Sequence, residues 1–347
     1  MKQLTLGRTN IKVSEWCLGT MTFGNQTSQD DAHRQIDMAL DAGINFIDTA
    51  EMYPVNPISV ETVGLSEQVI GNWITKTGRR DEIVVATKVS GNNPGWVRDG
   101  RGYDGAVIRE AVGTSLKRLQ TDVIDLYQMH WPERGSYMFR QNWTYDPSDQ
   151  NRQQTMDHML DVLDALGDMV KAGKIRAIGM SNESAWGMTK WIDQAEGAGL
   201  PRMASVQNEY SLLCRLYDTD MAEMAVNEDV TLMSFSPLAC GLLTGKYQNG
   251  AVPEGSRLSI NSDLGGRVTE RLWPVVQAYL DLAAKHGLDP VHMALAWQRT
   301  RPFAVSAIFG ATTSEQLTQI LGGKDVVLSD EVIAEIDAVH QMYPMPF

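Results

Sequence analysis

The chain has 347 residues, 43% of them hydrophobic, and a formal net charge of −13. A charge of this sign repels nucleic acid and anionic membranes, and no apolar stretch is long enough to span a bilayer. The N-terminus lacks the apolar core of a secretory signal, and Cys17, Cys214 and Cys240 are too widely spaced for a disulfide framework or a metal site. We therefore expect a cytoplasmic protein without a bound metal, acting on a small molecule rather than on nucleic acid or a membrane.

In chain order, the first predicted element is a hairpin between Leu4 and Val13, around a Gly7-Arg8-Thr9-Asn10 turn. Eight short apolar runs typical of buried strands follow: Trp16 to Leu18, Ile44 to Ile47, Ile83 to Thr87, Val123 to Met129, Ile175 to Met180, Ala204 to Val206, Thr231 to Phe235 and Val305 to Phe309. Helical periodicity lies between them, at Asp31 to Ala42, Val107 to Leu119, Met159 to Val170, Met188 to Ala198 and Tyr279 to His286. Strands that alternate with helices pair in parallel, so eight such units predict a closed (β/α)8 TIM barrel.

No linker or internal repeat divides the chain, so residues 1–347 are predicted to form a single domain. Three connections, 90–105, 131–154 and 238–269, are long for this fold, and loops that follow strands open on its catalytic face. The segment from Ser329 to His340 predicts an extra C-terminal helix with Ser329 as its N-cap. The sequence identifies no apolar surface stripe, so it neither predicts nor excludes a homo-oligomer.

Polar residues stand at the carboxyl ends of the predicted strands. They are Asp48, Lys88, His130, Ser181, Asn182, Gln207, Asn208 and Ser236. Each has an ordinary structural explanation when taken alone, such as a helix cap or a rim residue. In a barrel, however, the carboxyl ends of all strands face one pocket, so the whole set indicates a functional site.

Four residues of this region make chemical sense together: Asp48, Tyr53, Lys88 and His130. A tyrosine with a pKa of about 10 is a weak acid at neutral pH, and a neighbouring ammonium lowers that pKa. A carboxylate keeps the ammonium charged, and an imidazole orients a carbonyl oxygen by a hydrogen bond. The set predicts a proton donor aimed at a carbonyl, with the electrons supplied by a cofactor.

The same residues carry a family resemblance that runs almost end to end. Together with the four residues above, the motifs are Gly19-Thr20-Met21-Thr22-Phe23-Gly24, Ile178-Gly179-Met180-Ser181-Asn182, Gln207-Asn208 and Ser236-Pro237-Leu238-Ala239-Cys240-Gly241-Leu242-Leu243-Thr244-Gly245-Lys246-Tyr247. The chain resembles the aldo-keto reductase superfamily. Within it, the chain is most similar to bacterial Tas-like reductases and, more distantly, to potassium channel β subunits, and the Ala50 to Pro54 run favours the Tas-like group.

The resemblance implies NADPH-dependent reduction of aldehydes or ketones on a barrel without a Rossmann domain, and no G-x-G-x-x-G follows a strand here. It implies that Tyr53 is the general acid, that Lys88 and Asp48 tune it, and that His130 orients the substrate. For the cofactor it implies contacts from Thr20, Met21, Asp48, Ser181, Asn182, Gln207, Phe235, Ser236, Pro237, Leu238, Gly241, Lys246, Arg257, Gly310, Thr312 and Gln316. Lys246 and Arg257 would supply the local basic pocket that phosphates need on an acidic protein.

Two positions depart from the family pattern. Gln319-Ile320 stands where related sequences often carry Glu-Asn near the adenine, and Met21 stands where Trp is frequent. The first departure leaves the preference for NADPH over NADH unsettled.

Trp131, Tyr137 and Trp143 lie in the long fourth loop, where they form either an apolar substrate wall, with Trp131 next to His130, or packing for the loop.

Two other functions fit parts of the pattern. An aldolase-type lyase would use Lys88 to form a Schiff base, which needs a lowered lysine pKa that Asp48 opposes. An NADPH-binding regulatory or redox-sensing subunit, resembling the channel β subunits, would keep the cofactor residues with little turnover. His130 favours the reductase, because its imidazole is needed mainly for turnover.

Overall fold

The computed structural model describes residues 1–347 and contains a closed barrel of eight parallel strands in the order β10-β3-β4-β5-β6-β7-β8-β9. An antiparallel hairpin, β1 with β2, precedes the barrel. The strands are β1 Gln3–Thr5, β2 Lys12–Ser14, β3 Trp16–Gly19, β4 Phe46–Asp48, β5 Val84–Val89, β6 Ile124–Met129, β7 Ile175–Ser181, β8 Met203–Glu209, β9 Thr231–Phe235 and β10 Val305–Phe309. The predicted TIM barrel and its N-terminal hairpin are confirmed.

Eleven helices surround or extend the barrel. They are α1 Gln29–Asp41, α2 Leu65–Thr77, α3 Gly105–Leu119, α4 Arg152–Lys171, α5 Ala185–Ala198, α6 Asp220–Asn227, α7 Arg257–Ile260, α8 Leu272–Lys285, α9 Pro290–Gln298, α10 Ser314–Gly322 and α11 Asp330–Met342. The predicted C-terminal helix is α11, and the Ser329 side chain accepts from the backbone N–H of Val332 as its N-cap.

Two strand boundaries differ from the prediction in ways that matter for the site. The second barrel strand runs from Phe46 to Asp48 rather than from Ile44 to Ile47, so Asp48 is its last residue and lies inside the barrel wall. Strand β8 extends to Glu209 because Gln207, Asn208 and Glu209 pair with β9 even though they are polar. Polar residues ended the predicted run, but in this barrel they continue the ladder, and Gln207 faces the pocket, where it donates to Asp48.

Helix α2 has no counterpart in the sequence prediction. Gly64, with φ of 86°, precedes the helix and provides no side-chain cap, and Gly71 interrupts the helical pattern of apolar residues. Gly71 is required by packing, since a Cβ there would lie 2.2 Å from the carbonyl oxygen of Arg118 on α3. The helix therefore depends on tertiary contact with its neighbour rather than on local start and stop signals.

The buried apolar residues form two main groups. One cluster of 76 residues fills the layer between strands and helices. A second, of 12 residues, fills the lower half of the barrel interior and includes Leu6, Ile11 and Val13 of the hairpin segment, which plug the amino end of the barrel. The opposite end, where the strands finish, is therefore the open mouth.

Three long loops border that mouth, as predicted: the β5–α3 loop (residues 90–104), the β6–α4 loop (130–151) and the β9–α8 loop (236–271). The last contains the single turn α7 and several residues in the left-handed region of backbone conformation. None of the helices has both the length and the hydropathy needed to cross a bilayer.

Candidate active site

The four residues predicted to carry the chemistry meet at the barrel mouth. Asp48 ends β4, Lys88 is the penultimate residue of β5, and His130 directly follows β6. All three are buried, Lys88 completely. Tyr53, in the loop after β4, is half-buried beside them. Neighbouring parallel strands bring these residues to one level, because Asp48 pairs with Ala86 and Lys88 pairs with Gln128 across the ladder.

Lys88 is the centre of the group. Its Nζ donates to Asp48 Oδ2 at 2.7 Å and to the carbonyl oxygen of Thr49 at 2.8 Å. It also lies 5.0 Å from the centroid of the Tyr53 ring. Burial alone would lower the pKa of Lys88, but the Asp48 carboxylate, Tyr53 and Cys17 together outweigh burial, so the pKa is raised from its ordinary value. The lysine is therefore an ammonium, which disfavours the free amine that a Schiff-base lyase requires.

The pKa of Tyr53 departs from the prediction. Burial raises the pKa of this phenol, and although Lys88 acts in the expected direction and lowers it, the net shift is upward. The prediction of a lowered pKa rested on the charge of Lys88 alone, whereas burial removes water from the phenol and disfavours the phenolate. Tyr53 is thus a protonated donor, and the Lys88 ammonium lies beside it to stabilise the phenolate.

His130 faces Tyr53 across the mouth, with ring centroids 5.7 Å apart and ring planes at 76°. Burial, with a further contribution from Lys88, holds the pKa of the His130 imidazole well below its usual range. The ring is therefore neutral at pH 7. Its Nδ1 is buried without a hydrogen-bond partner. A neutral imidazole in this place is able to donate one N–H to a carbonyl oxygen without adding a second charge next to Lys88.

Two buried residues of the site were not identified from the sequence. Gln128 lies on β6 with its Nε2 3.4 Å from Asp48 Oδ1. Glu51 accepts from the backbone N–H of Ser90 and forms a two-contact ion pair with Arg98 at 2.7 and 2.8 Å. The available signals were a glutamine inside an apolar run and a glutamate two residues before Tyr53. Both residues fix the surroundings of the tetrad formed by Asp48, Tyr53, Lys88 and His130.

Ser181, Asn182 and Gln207, predicted to hold a carboxamide, are brought together at the ends of β7 and β8. Gln207 Nε2 donates to Asp48 Oδ1 at 2.8 Å, and Ser181 Oγ donates to the carbonyl oxygen of Gln207 at 2.7 Å. Asn182 Nδ2 donates to the carbonyl oxygen of His130, while its Oδ1 is buried without a partner. A buried amide oxygen that lacks a donor fits the N–H group of a ligand carboxamide.

The segment predicted to follow the pyrophosphate, from Ser236 through Pro237 and Leu238 to Gly241, begins directly after Phe235 at the end of β9. Ser236, Ala239, Cys240 and Gly241 all have positive φ, which turns the chain tightly at the mouth. Lys246 and Arg257 follow in the same loop, and neither forms an ion pair with a carboxylate. Two uncompensated cations on an acidic protein fit phosphate groups.

Thr20 and Met21 directly follow β3, which is separated from β9 by β10 alone. The Thr20 hydroxyl donates to the carbonyl oxygen of Asp48 at 2.9 Å, so its hydrogen is already used inside the protein. The guanidinium of Arg257 lies 3.8 Å from Met21 Sδ. The β9–α8 loop therefore extends past β10 and reaches the segment that follows β3.

The residues predicted to bind the adenosine, Gly310, Thr312 and Gln316, surround the start of α10. Gln316 Oε1 accepts from both the N–H and the hydroxyl of Thr312, at 3.0 Å each, and Thr313 caps the helix. Gln319 donates to Asp289 at 3.1 Å, and Ile320 is buried in the core. The Gln319 side chain is thus used in a contact within the protein, and Ile320 packs in the core.

The three aromatic residues of the β6–α4 loop separate in the structure. Trp131 stacks beside His130 with centroids 4.8 Å apart, and Phe139 contacts Trp131 edge-on at 6.3 Å. Tyr137 instead pairs with Tyr145, and burial raises the pKa of its phenol to about 12. Trp143 is 52% exposed and covers Arg271. Only Trp131 of the three adjoins the tetrad, and Phe139 extends that aromatic surface.

Comparison with known proteins identifies the family of this chain. A family model described as the aldo/keto reductase family matches residues 15–341. Protein tas of Escherichia coli K12 is 45% identical, with 100% of this chain and 99% of that protein aligned. The uncharacterized oxidoreductase YrpG of Bacillus subtilis is 34% identical over 98% of this chain and 96% of its own length. A probable voltage-gated potassium channel subunit beta of Arabidopsis thaliana is 29% identical over 99% and 98%.

Proposed function

We propose, from the premise that this chain belongs to the aldo/keto reductase family, that it reduces an aldehyde or ketone to the alcohol with NADPH as the reductant. Membership of this family supports an oxidoreductase activity. The observation that carries the finer proposal is the buried Lys88–Asp48 pair, 2.7 Å apart, held against a protonated Tyr53 and a neutral His130. This set supplies a proton and no electrons, so it needs a hydride donor beside it.

When bound, NADPH would supply the hydride for the carbonyl carbon, and the residues of the tetrad would act on the carbonyl oxygen. His130 donates a hydrogen bond to the carbonyl oxygen and holds it next to the Tyr53 hydroxyl. Tyr53 gives its proton to that oxygen as negative charge develops on it, and the Lys88 ammonium stabilises the phenolate that remains. Asp48 keeps Lys88 charged and directed, and burial excludes water from the pair.

The residues present fit the cofactor. The unpartnered Asn182 Oδ1 would accept from the carboxamide, with Ser181 and Gln207 beside it. The Ser236–Gly241 turn with Lys246 and Arg257 would hold the phosphates, and the Thr312–Gln316 region at the start of α10 would hold the adenosine end. Gln319-Ile320 stands where related sequences often carry Glu-Asn near the adenine, and because NADPH and NADH share the adenine, this departure does not set the choice between them.

We further propose a substrate with an apolar or aromatic body, because Trp131 and Phe139 line the approach to His130. All three cysteines are free, which agrees with the reducing conditions of the cytoplasm. The proposal requires neither a membrane nor a nucleic acid as a partner.

A second candidate function rests on the channel subunit similarity, 29% identity over nearly the whole chain. In that case the protein would bind NADPH and regulate a partner, with little turnover. The complete tetrad favours the reductase, since binding alone would not require a neutral imidazole opposite Tyr53.

The decisive experiment follows NADPH oxidation at 340 nm with a panel of aldehydes, ketones and quinones, and measures NADPH binding in parallel. We expect NADPH consumption matched by alcohol formation, fastest with aromatic carbonyl compounds, and weaker use of NADH. Tight binding with no turnover on any compound would favour the regulatory function. Failure to bind NADPH would contradict both functions, and trapping of substrate on Lys88 by borohydride would point to the lyase.

A further inference from the structure

Glu209, the last residue of β8, joins two loops that lie far apart in sequence. Its side chain is buried, and each carboxylate oxygen binds an arginine from a different loop. Arg267 of the β9–α8 loop donates to Oε1 from Nε at 2.8 Å, with Nη2 at 2.7 Å. Arg140 of the β6–α4 loop donates from Nη1 to Oε2 at 2.6 Å. A single carboxylate is thus shared between the two loops.

The two loops also touch each other directly. Arg140 packs against Gly265 and Gly266, where an added Cβ would lie 3.3 Å from Arg140 Nη2 and 3.7 Å from Arg140 Cβ respectively. Both glycines have positive φ, at 68° and 84°. A second contact lies further out, where the Arg271 guanidinium sits 4.7 Å from the centroid of the Trp143 ring. The loops therefore share a continuous contact surface above Glu209.

The charges show why the carboxylate is needed. Two buried guanidinium groups repel one another, and burial together with Arg267 lowers the pKa of Arg140. Burial also acts against the charge of Arg267, but Glu209, with smaller contributions from Cys240 and Cys214, more than offsets burial, and the pKa of Arg267 is raised. Without Glu209, neither arginine has a carboxylate partner, because no other ion pair involves them. Glu209 is therefore the carboxylate that holds the two arginines of these loops together.

Each loop has its own place in the site. The β6–α4 loop carries Trp131 and Phe139, which form the aromatic surface beside His130. The β9–α8 loop carries the Ser236–Gly241 turn, Lys246 and Arg257. We propose that Glu209 is a positioning residue that couples these two loops, so that ordering of the β9–α8 loop around NADPH also sets the aromatic wall for the carbonyl substrate. This inference rests on the proposed function.

Coupling of this kind is reciprocal, so a change in one loop alters ligand binding by the other. The test therefore changes Arg140, which lies on the aromatic loop, and measures NADPH affinity in the absence of any carbonyl compound. Arg140→Met keeps the aliphatic stem and leaves Glu209 paired with Arg267. We expect the dissociation constant for NADPH, measured by cofactor fluorescence, to rise about tenfold, which corresponds to about 1.4 kcal/mol.

Two variants control for other causes. Arg109→Met removes a surface arginine of α3 that pairs with Asp168, and it should bind NADPH like the native protein. Arg140→Lys keeps a cation opposite Glu209, which receives a single hydrogen bond from Arg140, so it should recover most of the affinity. Native affinity in Arg140→Met, or Arg140→Lys no better than Arg140→Met, would overturn the coupling.

A measurement without cofactor separates this inference from the proposed function. Trypsin cleaves after Lys246 and Arg257 of the β9–α8 loop, and cleavage reports how often that loop leaves the mouth. We expect faster cleavage at these two positions in Arg140→Met than in the native protein or in Arg109→Met. Equal cleavage rates would overturn the coupling even if NADPH did not bind, whereas failure of the native protein to bind NADPH would count against the proposed function alone.

Discussion

The floor and the mouth of the barrel are built from the same strands but from opposite kinds of side chain. Phe46 on β4, Ala86 on β5 and Leu126 on β6 belong to the apolar cluster of the floor. Two residues further along these strands stand Asp48, Lys88 and Gln128, all buried at the mouth. Because alternate residues of a barrel strand face inward, each strand contributes first to packing and then to the site.

The difference shows how the barrel tolerates buried charge. The apolar floor and the hairpin plug close the amino end, so the polar groups of the mouth need partners only among themselves and in ligands. Asp48, for example, accepts from Lys88, Gln207 and Gln128. Stability and chemistry are therefore separated by about 7 Å along each strand, and substitutions should distinguish the two ends.

The largest effect is expected for Lys88→Met at the mouth. It leaves the Asp48 carboxylate buried without a cation, which should lower the free energy of unfolding by about 3–5 kcal/mol. Turnover should fall by about a thousandfold, because the phenolate of Tyr53 loses its counterion. Urea unfolding and NADPH oxidation measure the two quantities.

The double variant Asp48→Asn with Lys88→Met is the matched control. It removes both charges, so most of the lost stability should return while turnover stays low. Recovery of turnover in this variant would show that the ion pair serves packing and has no part in the chemistry.

Leu126→Ala is the counterpart of Lys88→Met at the floor of the barrel. Leu126 is completely buried, and its truncation should cost about 2–5 kcal/mol of stability, comparable to the mouth variant. Since no floor side chain belongs to the proposed site, kcat at 25 °C should stay at the native value for the folded fraction. A loss of kcat as large as that of Lys88→Met would remove the distinction between the two regions.

A smaller effect is expected from pH. The folded-state pKa of His130 is depressed, so the unfolded chain binds a proton at about pH 6.5 while the folded protein does not. The stabilising contribution is complete above that pH and is lost as the pH falls below it, by up to about 1.4 kcal/mol per pH unit. His130→Gln should remove this part of the pH dependence between pH 7.5 and 5. An unchanged pH dependence of the unfolding midpoint would mean that His130 is not the group responsible.

The sequence predicts the floor of the barrel more completely than it predicts the mouth. The floor follows from apolar runs at strand spacing, and β9 and β10 were predicted to the residue. At the mouth, the types and order of Asp48, Lys88 and His130 indicated a shared pocket, and the structure brings them together. Their roles, like the single-domain organisation of residues 1–347, stay predictions.

What the sequence did not predict depends on contacts between distant segments. Helix α2 lacks a cap and is held by the Gly71 contact with α3. The pKa of Tyr53 depends on burial, which spacing does not reveal. The sharing of Glu209 by Arg140 and Arg267 joins residues 69 and 58 positions away in the chain, and no local pattern marks such a pair.

A single turnover of Tyr53→Phe tests whether Tyr53 is the general acid. The variant, saturated with NADPH, is mixed with a carbonyl compound that the native protein reduces, and cofactor oxidation is followed at 340 nm. We expect NADPH affinity close to native and a rate reduced by about a hundredfold to ten-thousandfold, because the proton donor is gone. Oxidation at the native rate would contradict this expectation, since Tyr53 would then not be the acid.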